Sequence, residues 1–342
     1  VKILFTSNRF DPDIGGIEVV SRILAGAFVA CGHSVRLATH SIALESASDS
    51  DLSFAILRRP SVLQLADVYK WADVVFQNNL EVRRLWPAPF FRKPLVIGLQ
   101  TWIRSVDGNR SAIHRLKLAA LHSASAVVAC SEAVRADSCE RAIVIGNPYN
   151  RQLFRERPEI SRQQSIVFLG RLVSDKGVDL LLHAYAALKR PDWPLTIIGS
   201  GPEQQALMSL ADSLGVNASV RFVGPLQGDA LALALNSHEL MVVPSRWREP
   251  FGVVVLEGQA SGCVVLASDG GGLPDAVGSA GMLFRRGDHA DLAAKLRLLI
   301  EDGDLRKRLR AAAPDHLAHF HDDVVCAQYL EILERVYRNS LC

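Results

Sequence analysis

Short runs of β-branched and apolar residues alternate along the chain with longer segments of helical period, and this alternation limits the fold more than any other feature. A strand–helix–strand unit forms a parallel sheet, because the crossover helix returns the chain to the same end of the sheet. In the first half the strands are expected at Lys2–Thr6, Ser34–Ala38, Asp73–Gln77, Leu95–Leu99, Ala126–Ala129 and Ala142–Ile145, with a weaker run at Ser53–Leu57. The helical period is clearest over Ile17–Ala30, where Ile17, Val20, Leu24 and Phe28 recur along one face. The alternation then stops. Gly146 to Asn150, and Arg155 to Gln164, are polar or proline-bearing, lack a period and read as a linker. It restarts with strands at Ser165–Gly170, Leu195–Gly199, Ser219–Gly224, Leu240–Val243 and Val264–Ala267, and with helices at Val178–Lys189, Glu203–Leu214 and after Gly252. The expected fold is α/β, with two Rossmann-like doubly wound domains facing a central cleft, over residues 1–148 and 149–321. The tail, 322–342, reads as a helix with Val325, Tyr329, Ile332, Leu333 and Val336 on one face, expected to cross back to the first domain.

Length agrees with this division, since 342 residues suit two cores of about 150 each. A net charge of +2 is too small to point to nucleic acid, and no apolar run reaches the roughly 18 residues of a membrane span. The chain begins directly with strand residues, so no secretory leader is expected. Cys31, Cys130, Cys139, Cys263, Cys326 and Cys342 form no C-x-x-C pair. That spacing suits a reducing cytoplasm better than a zinc site or a disulfide framework.

The chemistry concentrates after the strand Met241-Val242-Val243. There the chain reads Pro244-Ser245-Arg246-Trp247-Arg248-Glu249-Pro250-Phe251-Gly252-Val253-Val254-Val255-Leu256-Glu257-Gly258. Pro250 lies close to a helix start, where its missing N–H costs little. The unpaired N–H groups of such a start can hold a phosphate or a sugar hydroxyl. Glu249 lies in the loop and Glu257 inside the helix, so the two carboxylates can serve different parts of one ligand. The alternative for Glu249 is a helix-capping acid. This segment resembles the E-x7-E signature of the family 4 retaining GT-B glycosyltransferases, the glycosyl transferases group 1. The resemblance implies that Glu257 accepts the ribose hydroxyls, and that Glu249, with the backbone of Phe251, Gly252 and Val253, holds the transferred sugar.

Phe168-Leu169-Gly170-Arg171 followed by Lys176-Gly177 is similar to the same family's G-R-x-x-x-x-K-G segment, whose cations grip the donor diphosphate. A leaving diphosphate gains negative charge as the glycosidic bond breaks, and fixed cations stabilise it without reorganising. Gly15-Gly16, opening the first helix, lets backbone approach an anion or an acceptor. In the family this loop lies over the donor phosphates. Gly199-Ser200-Gly201-Pro202 resembles a nucleotide-facing glycine loop, and Leu226, after Gly224-Pro225, lies in a segment that resembles the family's turn whose backbone contacts the base. Ser268 to Asp275 matches a further glycine turn. Asp11-Pro12-Asp13 has the form of a D-x-D metal motif, but its proline and its place before the glycine pair suit a turn. No metal or other cofactor is expected.

One departure falls on the acceptor side. Many family members carry a His near the strand Leu95–Leu99, whereas this chain has Gln100 and Trp102 there. Residues 81–118 carry Arg83, Arg84, Arg92, Lys93, Arg104, Arg110, Arg115 and Lys117 against Glu81 and Asp107, with Trp86, Phe90, Phe91 and Trp102 interleaved. Such a surface suits an anionic membrane or a lipid-linked acceptor, or is a solvated basic face. The resemblance therefore implies hexose transfer from a UDP- or GDP-sugar to a glycan or lipid-linked acceptor. The expected setting is polysaccharide or glycolipid biosynthesis in the cytoplasm or on the inner membrane face. The alternatives are a non-catalytic, transferase-like regulatory partner and an NAD-dependent oxidoreductase. The oxidoreductase would need a G-x-G-x-x-G that Gly199-Ser200-Gly201 does not complete.

Overall fold

The computed structural model describes all residues except 14, 43–48, 50–51, 104–111 and 342. The chain divides into two compact units, Val1–Pro148 together with Phe320–Cys342, and Tyr149–His319.

The first unit is built on a seven-stranded sheet. Its strands are β1 (Lys2–Ser7), β2 (Ser34–Thr39), β3 (Ala55–Arg58), β4 (Val74–Asn78), β5 (Leu95–Leu99), β6 (Ala126–Ala129) and β7 (Ile143–Val144), in the order β3-β2-β1-β4-β5-β6-β7. The second has a six-stranded sheet of β8 (Gln163–Leu169), β9 (Leu195–Ile198), β10 (Val220–Gly224), β11 (His238–Val243), β12 (Val264–Ser268) and β13 (Gly281–Phe284), in the order β10-β9-β8-β11-β12-β13. All pairings are parallel. Each sheet reverses its winding between its first and fourth strands, β1/β4 and β8/β11. At such a switch point the loops leaving the carboxyl ends diverge and leave room for a ligand.

The central strands explain why the alternating pattern is so readable. Ile166, Val167, Leu240, Met241 and Val242 are fully buried, as a sheet covered on both faces requires. In the second unit Trp193 lies in the core under the Arg306 guanidinium, 5.2 Å from the ring centre. Glu239 accepts from Arg306 at 3.0 Å and pairs with Arg310 at 2.9 Å. In the first unit Phe76 stacks edge-on against Phe5 at 4.9 Å and against Tyr329 at 5.4 Å. Tyr329 belongs to the helix Asp322–Asn339, which packs on the helix Gly16–Ala30 and on β4. Its apolar face, with Val325, Tyr329 and Leu333 buried, completes the first core.

Two strands show where the sequence reading departs from the fold. β13 has no counterpart there, because its run of four residues begins at a glycine and only Phe284 is buried. β8 starts at Gln163, inside the expected linker, because its first polar residues extend the strand beyond the core.

Candidate functional site

The loops at the carboxyl ends of β8, β9 and β10 are joined by backbone hydrogen bonds. Gly170 N donates to Ile198 O at 3.0 Å, Leu172 N to Ser200 O at 2.9 Å, and Gly199 N to Gly224 O at 2.9 Å. Glycine is required at this junction. Gly199 has φ +141°, and a Cβ there would lie 1.8 Å from Gly170 O; one on Gly201 would lie 2.2 Å from Leu172 O. Arg171 stands exposed on the first of these loops, and its side chain has no hydrogen bond or ion pair among the described residues. Leu226, just past β10, is half-buried.

The turn Ser174–Lys176 is pressed onto the end of β11. Arg246 N and Trp247 N donate to Asp175 O at 2.8 and 3.0 Å, and a Cβ on Gly177 would lie 2.1 Å from Pro244 O. Two groups 73 positions apart thereby meet, with Lys176 Nζ donating to Glu249 Oε1 at 2.5 Å. Ser245 Oγ donates to the same oxygen at 2.8 Å, and Gly272 N donates to Glu249 O at 2.7 Å. The two paired side chains are 24% and 15% exposed, so the pair borders solvent and can exchange its partners for a ligand. Glu249 does not cap the following helix, Val253–Ala260, whose N-cap Gly252 has no side-chain cap. Phe251, 2% exposed, anchors the turn, and Val253 is half-buried at the helix start.

Glu257 lies further along the same helix. Gly258 beside it rests on β11, where a Cβ would lie 2.3 Å from Met241 Sδ. The Glu257 side chain keeps a partly exposed face and has no hydrogen bond or ion pair among the described residues. Burial pushes its carboxyl up to about 7. A carboxylate held this way is short of donors, and sugar hydroxyls are the kind of donor it lacks.

In the first unit, Gly15 and Gly16 open the helix Gly16–Ala30. Gly16 has open space where a Cβ would be, whereas the carboxylate of buried Glu18 would lie 2.5 Å from a Cβ on Gly15. Asp13 N donates to Phe10 O at 3.1 Å, closing a turn, and Ser41 Oγ donates to Asp13 Oδ2 at 2.6 Å. The side chain of Asp11 pairs with Arg22.

Gln100 is held inside the first unit. It is 4% exposed and belongs to a buried chain: Asn147 Nδ2 donates to Gln100 Oε1 at 2.8 Å, Gln100 Nε2 to Asn78 Oδ1 at 3.1 Å, Asn78 Nδ2 to Ser21 Oγ at 2.8 Å, and Ser21 Oγ to Ser7 Oγ at 3.0 Å. An amide buried among amides is satisfied by its neighbours, so Gln100 braces the ends of β1, β4 and β5. Trp102 is partly exposed. The polar residues that end the apolar runs of those strands were the available signal for this chain.

The basic segment is also divided. Arg84 is 3% exposed and pairs with Glu81 at 3.0 Å, so it does not belong to a basic face. Arg83, Arg92 and Arg115 are exposed, as are Trp86, Phe90, Ile113, Leu116 and Leu118; Phe90 reaches 77%. Arg104, Asp107 and Arg110 lie outside the described residues. Among the described residues no helix is long and apolar enough to cross a membrane.

Residues 150–316 match the family model described as glycosyl transferases group 1. This stretch belongs to that family. Among curated relatives, a D-inositol 3-phosphate glycosyltransferase of Corynebacterium jeikeium is 37% identical over 180 residues, which cover 48% of this chain and 43% of the relative. The sulfoquinovosyl transferase SQD2 of Arabidopsis thaliana is 35% identical over 153 residues, covering 43% of this chain and 29% of that protein. The matched stretches thus span less than half the length of these relatives. Arg171, Lys176, Glu249 and Glu257 fall within the limits of the group 1 model. Among solved structures, Anabaena Alr3699/HepE in complex with UDP superposes with a TM-score of 0.84 at 21% identity, covering 98% of this chain and 100% of that one. Sucrose-phosphate synthase from Thermosynechococcus elongatus gives 0.80 at 20% identity, covering 99% of each chain. The likeness extends over both units the fold of the GT-B glycosyltransferases, with two Rossmann-like domains.

Proposed function

We propose that this chain is a retaining glycosyltransferase that moves a hexose from a UDP- or GDP-sugar to a hydroxyl of a glycan or lipid-linked acceptor, without a metal or other cofactor. The observation that carries the reading is the meeting of Lys176 and Glu249 at the β8/β11 switch point, with Arg171 exposed at the start of the same loop as Lys176. A cation for a diphosphate and a carboxylate for sugar hydroxyls must lie one sugar–phosphate bond apart, and these two are adjacent. Arg171 and Lys176 stabilise the leaving diphosphate, Glu249 orients the sugar, and Glu257 holds the ribose. The leaving phosphate oxygen takes the acceptor proton on the same face of the sugar, which retains the anomeric configuration. Solved neighbours in complex with UDP and with UDP-glucose favour a uridine donor.

Contact with an anionic membrane on its cytoplasmic side is proposed for the surface around Phe90. Its support is the exposed apolar set of Trp86, Phe90, Leu116 and Leu118 beside Arg83, Arg92 and Arg115. Co-sedimentation with phosphatidylglycerol vesicles tests it; binding that is equal in Phe90→Glu contradicts it.

The donor reading is tested by a thermal-shift panel of UDP- and GDP-sugars, because a ligand that binds the folded state raises Tm by mass action. One base class should stabilise the chain, and the same donor should be hydrolysed slowly without acceptor. A chain that binds a donor but never releases nucleotide is a non-catalytic partner. No shift with any donor contradicts the proposal.

A further inference from the structure

The loops after β12 and β13 close on one another beside Glu249. Asp269 N donates to Phe284 O at 2.9 Å, and Arg286 N donates to Asp269 Oδ1 at 2.9 Å. Gly271 forms a bridge with Glu249, and its Cβ position would lie 2.2 Å from Glu249 O. Together the loops bound an open cleft of about 440 Å³, lined by Arg248, Asp269, Gly270, Gly271, Arg285 and Arg286. That volume is in the range of small-molecule sites.

Three guanidinium groups line this cleft against one carboxylate. That carboxylate already accepts a backbone N–H, and Arg285 is held by Asp288 at 2.9 Å. Arg286 lies across Gly270, where a Cβ would be 2.7 Å from Arg286 Cδ, so a side chain at this position would displace the arginine. The cleft is distinct from the diphosphate grip. The Glu249 side chain turns toward Lys176 and Ser245, on the β8 side, whereas the cleft opens where β12 and β13 end.

We propose that this cleft is a second anion subsite, which selects a substrate bearing an oxyanion (carboxylate, sulfonate or phosphate) on the sugar or on the acceptor. The inference rests on the glycosyltransferase reading above. Guanidinium forks match the paired oxygens of such groups, and a neutral sugar hydroxyl does not require them. Arg248 is next in the chain to the residue that orients the sugar, so the selected charge lies near the group being transferred or received.

The test uses the intact chain and two arms. In the first, the affinity of UDP-glucuronic acid is compared with that of UDP-glucose. In the second, with UDP saturating, glucose 6-phosphate is compared with glucose. Each comparison is repeated in the double variant Arg248→Gln, Arg286→Gln, both positions being exposed, and in Arg286→Lys. The expected result is a preference of about tenfold or more for the charged ligand in one arm, as a charge-assisted hydrogen bond supplies. The preference should be lost in the double variant and weakened in Arg286→Lys. A preference in the first arm assigns the oxyanion to the donor sugar, and one in the second assigns it to the acceptor. Equal affinities in both arms, or a preference that survives in the double variant, overturn the proposal. Failure of UDP- and GDP-sugars alike to bind would instead overturn the donor reading.

Discussion

Lys176 and Arg171 are both cations near the same switch point, yet they stand in different settings. Lys176 is tied to Glu249, whereas Arg171 is exposed and has no side-chain partner among the described residues. Arg171→Ala should therefore lower turnover by about 100- to 1000-fold and leave Tm unchanged. Lys176→Ala should lower turnover comparably and also destabilise the fold by about 1 kcal/mol, since Glu249 loses one donor but keeps Ser245 Oγ. Steady-state kinetics and thermal melts of the two variants check this. Glu257 carries the pH dependence. Its carboxyl has an ordinary value of 4.5 and is raised to about 7, so the folded chain holds that proton more tightly than the unfolded chain. Ionisation then costs stability: the penalty is absent below about 4.5, grows as pH rises, and is complete above about 7. Glu257→Gln should accordingly match the wild type in Tm at pH 4.5 and exceed it at pH 8. With ribose hydroxyls donating to the ionised form, as proposed, UDP affinity of the wild type should rise with pH through about 7. That rise should vanish in the variant, as measured by calorimetric titration.

The elements at the site depend on glycines more than on regular structure. Gly199 combines φ +141° with a Cβ position 1.8 Å from Gly170 O. Gly199→Ala should lose about 1–3 kcal/mol from backbone strain alone, with the collision added, and should weaken UDP binding by displacing the Arg171 loop. Urea unfolding with a parallel UDP titration measures both effects. Much of this was legible in the sequence for a physical reason. A strand buried on both faces must be an uninterrupted apolar run, so β1, β5, β6, β11 and β12 are visible within a residue or two of their ends. The cations and carboxylates flanking glycine-ended strands were visible in the same way. What is not local was hidden. No spacing rule brings Lys176 onto Glu249, buries Arg84 against Glu81, or turns Gln100 inward to Asn78 and Asn147, because each depends on which strands are neighbours.

The whole molecule consists of two units with separate cores, and the first is completed by the helix Asp322–Asn339, after the chain has built the second. Leu333, 1% exposed, lies on that helix's buried face. Leu333→Ala should cost the first unit about 2–5 kcal/mol and leave the second unit's transition in place. In differential scanning calorimetry UDP should shift the second unit's transition in both proteins. Arg171, Lys176, Glu249 and Glu257 are proposed to form one donor site. A crystal structure of the chain with UDP-glucose tests it most directly. The ribose hydroxyls should lie on Glu257, the diphosphate on Arg171 and Lys176, and the sugar on Glu249, with Lys176 drawn from Glu249 toward the phosphate. A donor whose diphosphate lies away from both cations, or whose ribose leaves Glu257 unpaired, would contradict it.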